Sequence, residues 1–203
     1  MKLLFTGPKG AGKTQLLRRA CGKGYDPSVV SKAPSGHELA AFEVLPPKSV
    51  EGTTVRGQIW DLCFSTVTDP YQTLPRECKL SAVAIAFDAT SKESFNQVRV
   101  FVADVIARWP TLPVAIVACK CDGERIADRA LILEMMQVLR SNRKESEPPI
   151  WWAETSAADG HGVDRFITDF LRSAVGVKKG LGVPPDTPDE WGRPLKHKDC
   201  LIQ

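Results

Sequence analysis

The stretch that most constrains this chain is Gly7-Pro8-Lys9-Gly10-Ala11-Gly12-Lys13-Thr14. It fits G-x-x-x-x-G-K-[ST], a loop that cradles phosphates. The short apolar segment Lys2–Thr6 precedes it and reads as a strand. Gln15–Ala20 follows with helical propensity and no breaker. Strand, glycine-rich loop and helix in that order would gather backbone N–H groups at a helix N-terminus, where a phosphate chain is held. Gly7, Gly10 and Gly12 permit backbone conformations and close approaches that a Cβ would block. Lys9 and Ala11 complete the phosphate-binding set. Lys13 would bridge the β- and γ-phosphates, and Thr14 would offer its hydroxyl to Mg²⁺. The alternative is a plain glycine-rich turn, and the order of the flanking elements favours the phosphate reading.

Bulk properties narrow the setting. The 203 residues suffice for one α/β domain plus a tail, and 43% hydrophobic residues can furnish a sizeable core. Basic and acidic residues number 27 and 24, a balance that does not point to nucleic acid as a main partner. No apolar run reaches transmembrane length, and Met1 leads directly into a strand, so the expected setting is cytoplasmic. The six cysteines do not form a disulfide-framework pattern, and Cys119-x-Cys121 lacks a second pair for zinc.

Along the chain, Cys21-Gly22-Lys23-Gly24 should end the first helix. Leu39–Leu45 and Thr53–Asp61 read as strands joined by a hairpin through residues 48–52. Ser81–Phe87 and Pro113–Cys119 are continuous apolar runs of the kind found in strands covered on both faces. Lys92–Trp109 has helical spacing, with Thr90 or Ser91 as its cap, and Pro110 stops it. Arg125–Leu139 is another helix, Ile150–Ala153 a short strand and Val163–Val175 the last helix. This alternation predicts an α/β domain over residues 1–176, with a mostly parallel six-stranded sheet and helices on both faces. Residues 177–203 are rich in Pro, Gly and charge and read as a flexible tail.

Three further segments carry chemistry. Asp61, expected at the end of its strand, would support Mg²⁺; a turn-capping Asp is the plainer alternative. In Lys120-Cys121-Asp122 the carboxylate can accept from the ring N–H and exocyclic amine of guanine, a donor pair that adenine lacks, while the Lys stem lies over the purine. A merely charged strand-to-helix loop would look the same in isolation. In Glu154-Thr155-Ser156-Ala157-Ala158, small residues let backbone N–H groups, those of Ser156, Ala157 and Ala158 among them, approach the guanine oxygen.

Together these segments resemble the small GTPases of the Ras superfamily, whose pattern is G-x-x-x-x-G-K-[ST], W-D-x-x-G, N-K-x-D and E-T-S-A. Here the set reads Gly7–Thr14, Trp60-Asp61-Leu62-Cys63-Phe64, Cys119-Lys120-Cys121-Asp122 and Glu154–Ala157. The resemblance implies a Ras-like P-loop fold and GTP/GDP with Mg²⁺ as cofactors. It also implies an effector or scaffold protein as partner. The segment Lys2–Pro8 resembles the divergent Rab-like proteins of intraflagellar transport complexes, which would add a coiled-coil transport subunit and the cilium to the expectations.

The departures from the pattern also have consequences. Phe64 stands for the Gly whose N–H meets the γ-phosphate, and Ser65 for the Gln that positions water. Cys119 replaces the guanine-motif Asn, and Ser35 is the nearest match to the first-switch Thr that would meet Mg²⁺. Weak or absent hydrolysis follows, slower than the ~10⁻⁴ s⁻¹ of unassisted relatives. A nucleotide-stabilised structural adaptor that does not switch is the second reading. A P-loop kinase of small molecules is the third, disfavoured by short length and the lack of an Arg-rich lid. Finally, Cys200-Leu201-Ile202-Gln203 fits C-a-a-X, which would make Cys200 a prenylation site giving weak membrane association.

Overall fold

A computed structural model describes residues 1–28, 38–44, 56–63, 79–124, 126, 129–141, 144 and 146–176. The elements in chain order are β1 (Lys2–Thr6), α1 (Lys13–Ala20), β2 (Glu38–Val44), β3 (Gly57–Cys63) and β4 (Leu80–Asp88). They continue with α2 (Lys92–Arg108), β5 (Val114–Cys119), α3 (Arg129–Ser141), β6 (Ile150–Glu154) and α4 (Val163–Ala174). One six-stranded sheet has the order β2-β3-β1-β4-β5-β6. All neighbours run parallel except β2 and β3, which pair antiparallel from Glu38 opposite Cys63 to Val44 opposite Gly57.

Strand alternation explains how helices cover both faces. On β4, Ala82, Ala84 and Ala86 face one core and Val83, Ile85 and Phe87 the other. The alanine face receives Leu16 and Leu17 of α1 and Phe166 and Phe170 of α4, with Phe5 and Trp151 filling the space that small residues leave. The opposite face receives Phe95, Val98, Val102 and Val105 of α2 and Ile132, Met135 and Met136 of α3. Burying one such side chain is worth about 1.5–3 kcal/mol, so these two layers dominate the stability of the domain.

Several boundaries differ from the sequence reading. β3 runs on through Cys63, so Asp61 is inside the strand rather than at its end; pairing with β2 carries the ladder past it, with Asp61 opposite Ala40. Helix α3 runs Arg129–Ser141, and Ile126, inside the range read as helix, instead donates its amide to the Ala89 carbonyl at 3.0 Å. Helix α2 is capped by Ser91, whose Oγ accepts from the Ser94 amide at 3.2 Å. Among the described residues, no helix is long and apolar enough to cross a membrane. The readings placed on Ser35, Phe64, Ser65, Cys200, residues 48–52 and residues 177–203 lie outside the described residues.

Candidate nucleotide site

The chain steps from β1 to the β2–β3 side of the sheet and then returns to place β4 on the other flank. Strand order therefore reverses at β1. In open α/β sheets, the crevice at the carboxyl ends of the strands beside such a reversal is where ligands bind. The glycine-rich loop starts there.

Its geometry is set by backbone. Gly7, Gly10 and Gly12 all have positive φ, at 131°, 80° and 100°. A Cβ on Gly7 would come within 2.2 Å of the Ala86 carbonyl oxygen of β4, so only glycine lets the loop leave the sheet at this height. Gly12 is the N-cap of α1 in the left-handed conformation, and its carbonyl accepts from the Leu16 amide at 2.9 Å. Lys13, only 4% exposed, folds back under the loop, where its Nζ donates to the carbonyls of Gly7 at 2.8 Å and Pro8 at 2.9 Å. Lys9 and Gly10 are exposed at the loop tip, whereas Ala11 is buried.

Thr14 and Asp61 meet: the Thr14 hydroxyl donates to Oδ2 of Asp61, which is 4% exposed. A hydroxyl and a buried carboxylate side by side are hard oxygen donors. They suit Mg²⁺, which takes one or two protein oxygens and fills its octahedron with phosphate oxygens and water. The fold thus brings together two residues 47 positions apart in sequence, Thr14 and Asp61, for which the resemblance implied a Mg²⁺ role.

The second half of the site lies at the ends of β5 and β6. Lys120 is the sole non-glycine residue with positive φ among the described residues, at 60°. Its stem crosses the phosphate loop, with Cγ and Cε each 3.8 Å from where a Cβ on Gly12 would sit. Asp122 is exposed and accepts from the buried Ser156 hydroxyl at 2.7 Å. Ser156 therefore orients the carboxylate, a more specific role than the backbone approach expected of it. Ala157 and Ala158 follow in a turn beside it.

Cys119 is buried beneath this junction. Its Cβ lies 3.3 Å from a Cβ placed on Gly12, and the Thr155 hydroxyl donates to its Sγ at 3.8 Å and to the Ala118 carbonyl at 3.0 Å. Burial pushes the thiol up to about 12, against the pull of the Thr155 bond and of the Lys13 and Lys120 ammonium groups. The residue is thus a neutral, inert spacer near physiological pH. Backbone bonds hold the loops together around it: Cys121 N to Thr155 O at 3.1 Å and Thr155 N to Ala118 O at 2.8 Å.

Two residues here escaped sequence reasoning. Asp88 ends β4 and accepts from Lys120 Nζ at 2.5 Å. Gly162 caps α4 in the left-handed conformation, and a Cβ on it would come within 2.0 Å of the Glu154 carbonyl oxygen, so it lets the loop 155–162 close on β6. The signal for Asp88 was available: a charged residue closing an apolar run, followed by a turn residue, Thr90.

The comparisons with known proteins agree with this geometry. The Ras family model matches residues 2–175. The chain is 32% identical over 189 residues to the GTP-binding protein ypt1 of Schizosaccharomyces pombe, covering 89% of this chain and 81% of that protein. It is 30% identical over 174 residues to the GTP-binding protein YPT1 of Saccharomyces cerevisiae, covering 82% and 75%. Against the Ras-related protein RABD2a of Arabidopsis thaliana it is 26% identical over 209 residues, covering 98% and 93%.

Proposed function

The chain belongs to the Ras family as a small GTPase of the Rab-like branch, and from that premise we propose that it binds GTP and GDP with Mg²⁺ and hydrolyses GTP weakly or not at all. The observation that carries the binding reading is the convergence of two loops at the β1 reversal. A glycine-built phosphate loop sits with Lys13 beneath it and the Thr14–Asp61 pair beside it. The stem of Lys120 reaches over Gly12, and Asp122, two residues on, is held by the Ser156 hydroxyl. In this reading Lys13 and the amides of residues 7–14 hold phosphate, Thr14 and Asp61 hold Mg²⁺, and Asp122 with the amides of Ser156–Ala158 selects guanine. Bound Mg²⁺ would supply charge neutralisation at the phosphates.

The deciding measurement is the nucleotide that copurifies with the protein, followed by calorimetry with GDP and ADP, with and without Mg²⁺. GDP or GTP in the preparation, and tighter GDP binding with Mg²⁺, are expected. Equal affinity for ADP and GDP would remove the guanine assignment.

Slow hydrolysis rests on the sequence at Phe64 and Ser65, which stand where the pattern this chain resembles has Gly and Gln. The same two residues favour a second reading, a structural adaptor that uses nucleotide as a folding ligand. Comparable affinity for a partner in the GTP and GDP states identifies the adaptor; a large difference identifies a switch. As a Rab-like protein the chain would act in trafficking through an effector or scaffold. The Lys2–Pro8 segment supports intraflagellar transport and a coiled-coil partner, and Cys200 supports farnesylation with weak membrane attachment. Incorporation of labelled isoprenoid by the wild type, and its loss in Cys200→Ser, tests the last point.

A further inference from the structure

Asp88 stands outside the residues to which a nucleotide contact was assigned, yet every hydrogen bond on its side chain faces the base loop or the turn below it. Oδ1 accepts from the Thr90 amide at 2.9 Å and the Thr90 hydroxyl at 2.6 Å, which fixes the carboxylate plane. Its backbone amide donates to Ser94 Oγ at 2.9 Å, pinning the strand end to the first turn of α2. Oδ2 is left pointing at Lys120 Nζ, 2.5 Å away. The same turn supports the far side of the loop, because a Cβ on Gly123 would lie 2.9 Å from the Thr90 methyl carbon. The turn Asp88–Thr90 thus meets the segment Lys120–Gly123 at both of its ends.

We propose that Asp88 is a positioning residue of the guanine site, acting through Lys120 and setting how long a guanine nucleotide stays bound. This rests on the guanine reading given above. Lys120 has a flexible four-carbon stem whose head would otherwise explore solvent, since about half of its side chain is exposed. The fixed carboxylate draws that head to one point beyond the phosphate loop. The stem then lies across Gly12 and presents a flat apolar edge for the purine face. In a chain whose base motif carries Cys119 in place of an amide side chain, this ion pair is the side-chain tie between the base loop and β4.

The test compares wild type with Asp88→Asn, Asp88→Glu and Thr90→Val. Two probes are used: the dissociation rate of fluorescently labelled GDP, and the affinity for inorganic tripolyphosphate, each with Mg²⁺. Asparagine keeps the acceptor for the Thr90 amide and removes only the charge. GDP dissociation should speed up about five- to ten-fold in Asp88→Asn, while tripolyphosphate affinity stays within about two-fold, because residues 7–14 hold the phosphates. Glutamate should restore part of the slow rate. Thr90→Val, which keeps the methyl against Gly123 and loosens the carboxylate, should give a smaller increase, and it serves as the test if Asp88→Asn does not fold. In a double-mutant cycle, Asp88→Asn should add nothing to Lys120→Met, since one acts through the other. Unchanged GDP dissociation, equal weakening of both probes, or additivity with Lys120→Met would each overturn the proposal. A wild type that binds tripolyphosphate but no GDP would instead overturn the guanine reading itself.

Discussion

At the phosphate end of the site the shape is held by backbone: Gly7 passes under the Ala86 carbonyl, Gly12 caps α1, and Lys13 donates to two loop carbonyls. At the base end it is held by side chains: Lys120 on Asp88, Ser156 on Asp122, Thr155 on Cys119. The two halves depart from the family pattern to different degrees for that reason. A backbone constraint has no substitute, since nothing but glycine fits where a Cβ would meet strand β4. A side-chain tie can be replaced by a neighbour that reaches the same loop, so the base motif can lose its amide and keep its shape through Asp88, Ser156 and main-chain bonds.

The sharpest way to break this contrast is Gly7→Ala. The new methyl would come within 2.2 Å of a backbone oxygen in a central strand, at a φ of 131° that L residues avoid. Destabilisation of about 3 kcal/mol or more is expected, measured by urea unfolding. A protein as stable as wild type would show that the loop can leave the sheet along another path. Next in size is Lys13→Ala, which should abolish nucleotide binding. It should also cost the nucleotide-free protein about 1–3 kcal/mol, because the Gly7 and Pro8 carbonyls lose a buried charged donor. Retained GDP affinity in calorimetry would separate Lys13 from the phosphates.

The contrast also explains what the sequence could reveal. The shape of the glycine-rich loop was legible because its geometry is local: eight consecutive residues specify it, and strand and helix flank them. Sheet architecture was legible because the alternation A-V-A-I-A-F in β4 can be satisfied only between two covering layers. The ties at the base end were not, since Lys120 and Asp88 are 32 residues apart and their meeting depends on β4 and β5 lying side by side with Asp88 opposite Cys119. Boundaries slipped where tertiary pairing overrides local signals: β3 extends past Asp61 because β2 offers it partners, and Ile126, read as helical, is bound to Ala89 instead. The register that sets Phe5 beside Asp61 nevertheless carries the carboxylate to Thr14 at the start of α1.

Two smaller effects probe the side-chain half. Asp122→Asn should leave stability within about 1 kcal/mol, because asparagine can still accept from Ser156, and should shift preference from GTP to xanthosine triphosphate, whose ring presents an acceptor where guanine presents a donor. An unchanged preference would detach Asp122 from the base. Asp88 gives a pH signature. Burial alone raises its carboxyl, but the bonds from Lys120 and Thr90 outweigh that and hold it below the ordinary 3.8. A depressed folded value means the contribution is present above the ordinary carboxylate range and is lost as pH falls through the folded value. Between about pH 5 and pH 2 the wild type should therefore lose more stability than Asp88→Asn in urea titrations. Parallel acid limbs would show that the ion pair adds nothing to folding.

The smallest effect is expected from restoring the family residue, Cys119→Asn, and it tests whether the base end has compensated for its loss. Asparagine is close to cysteine in volume, and the pocket between Gly12 and Thr155 already holds a hydroxyl that donates toward the sulfur, so an amide oxygen there would gain a better acceptor geometry. The amide NH₂ would need a partner in a fully buried site, and main-chain carbonyls nearby, such as that of Val117, 4.0 Å from the present Sγ, are within reach of a modest shift. Gain and cost are of similar size, so stability should change by less than about 1 kcal/mol, while GDP affinity rises a few-fold as the phosphate and base loops become tied by stronger bonds. The substitution also removes an alkaline signature. Because the folded thiol is raised to about 12 from 9.0, its contribution is complete below the ordinary thiol value and is lost as pH rises toward 12. Wild type should lose stability over that interval relative to Cys119→Asn, and native Cys119 should resist alkylation that proceeds freely in urea. Unchanged GDP affinity in a well-folded Cys119→Asn would mean that Asp88, Ser156 and the main-chain bonds already supply all that the amide would add.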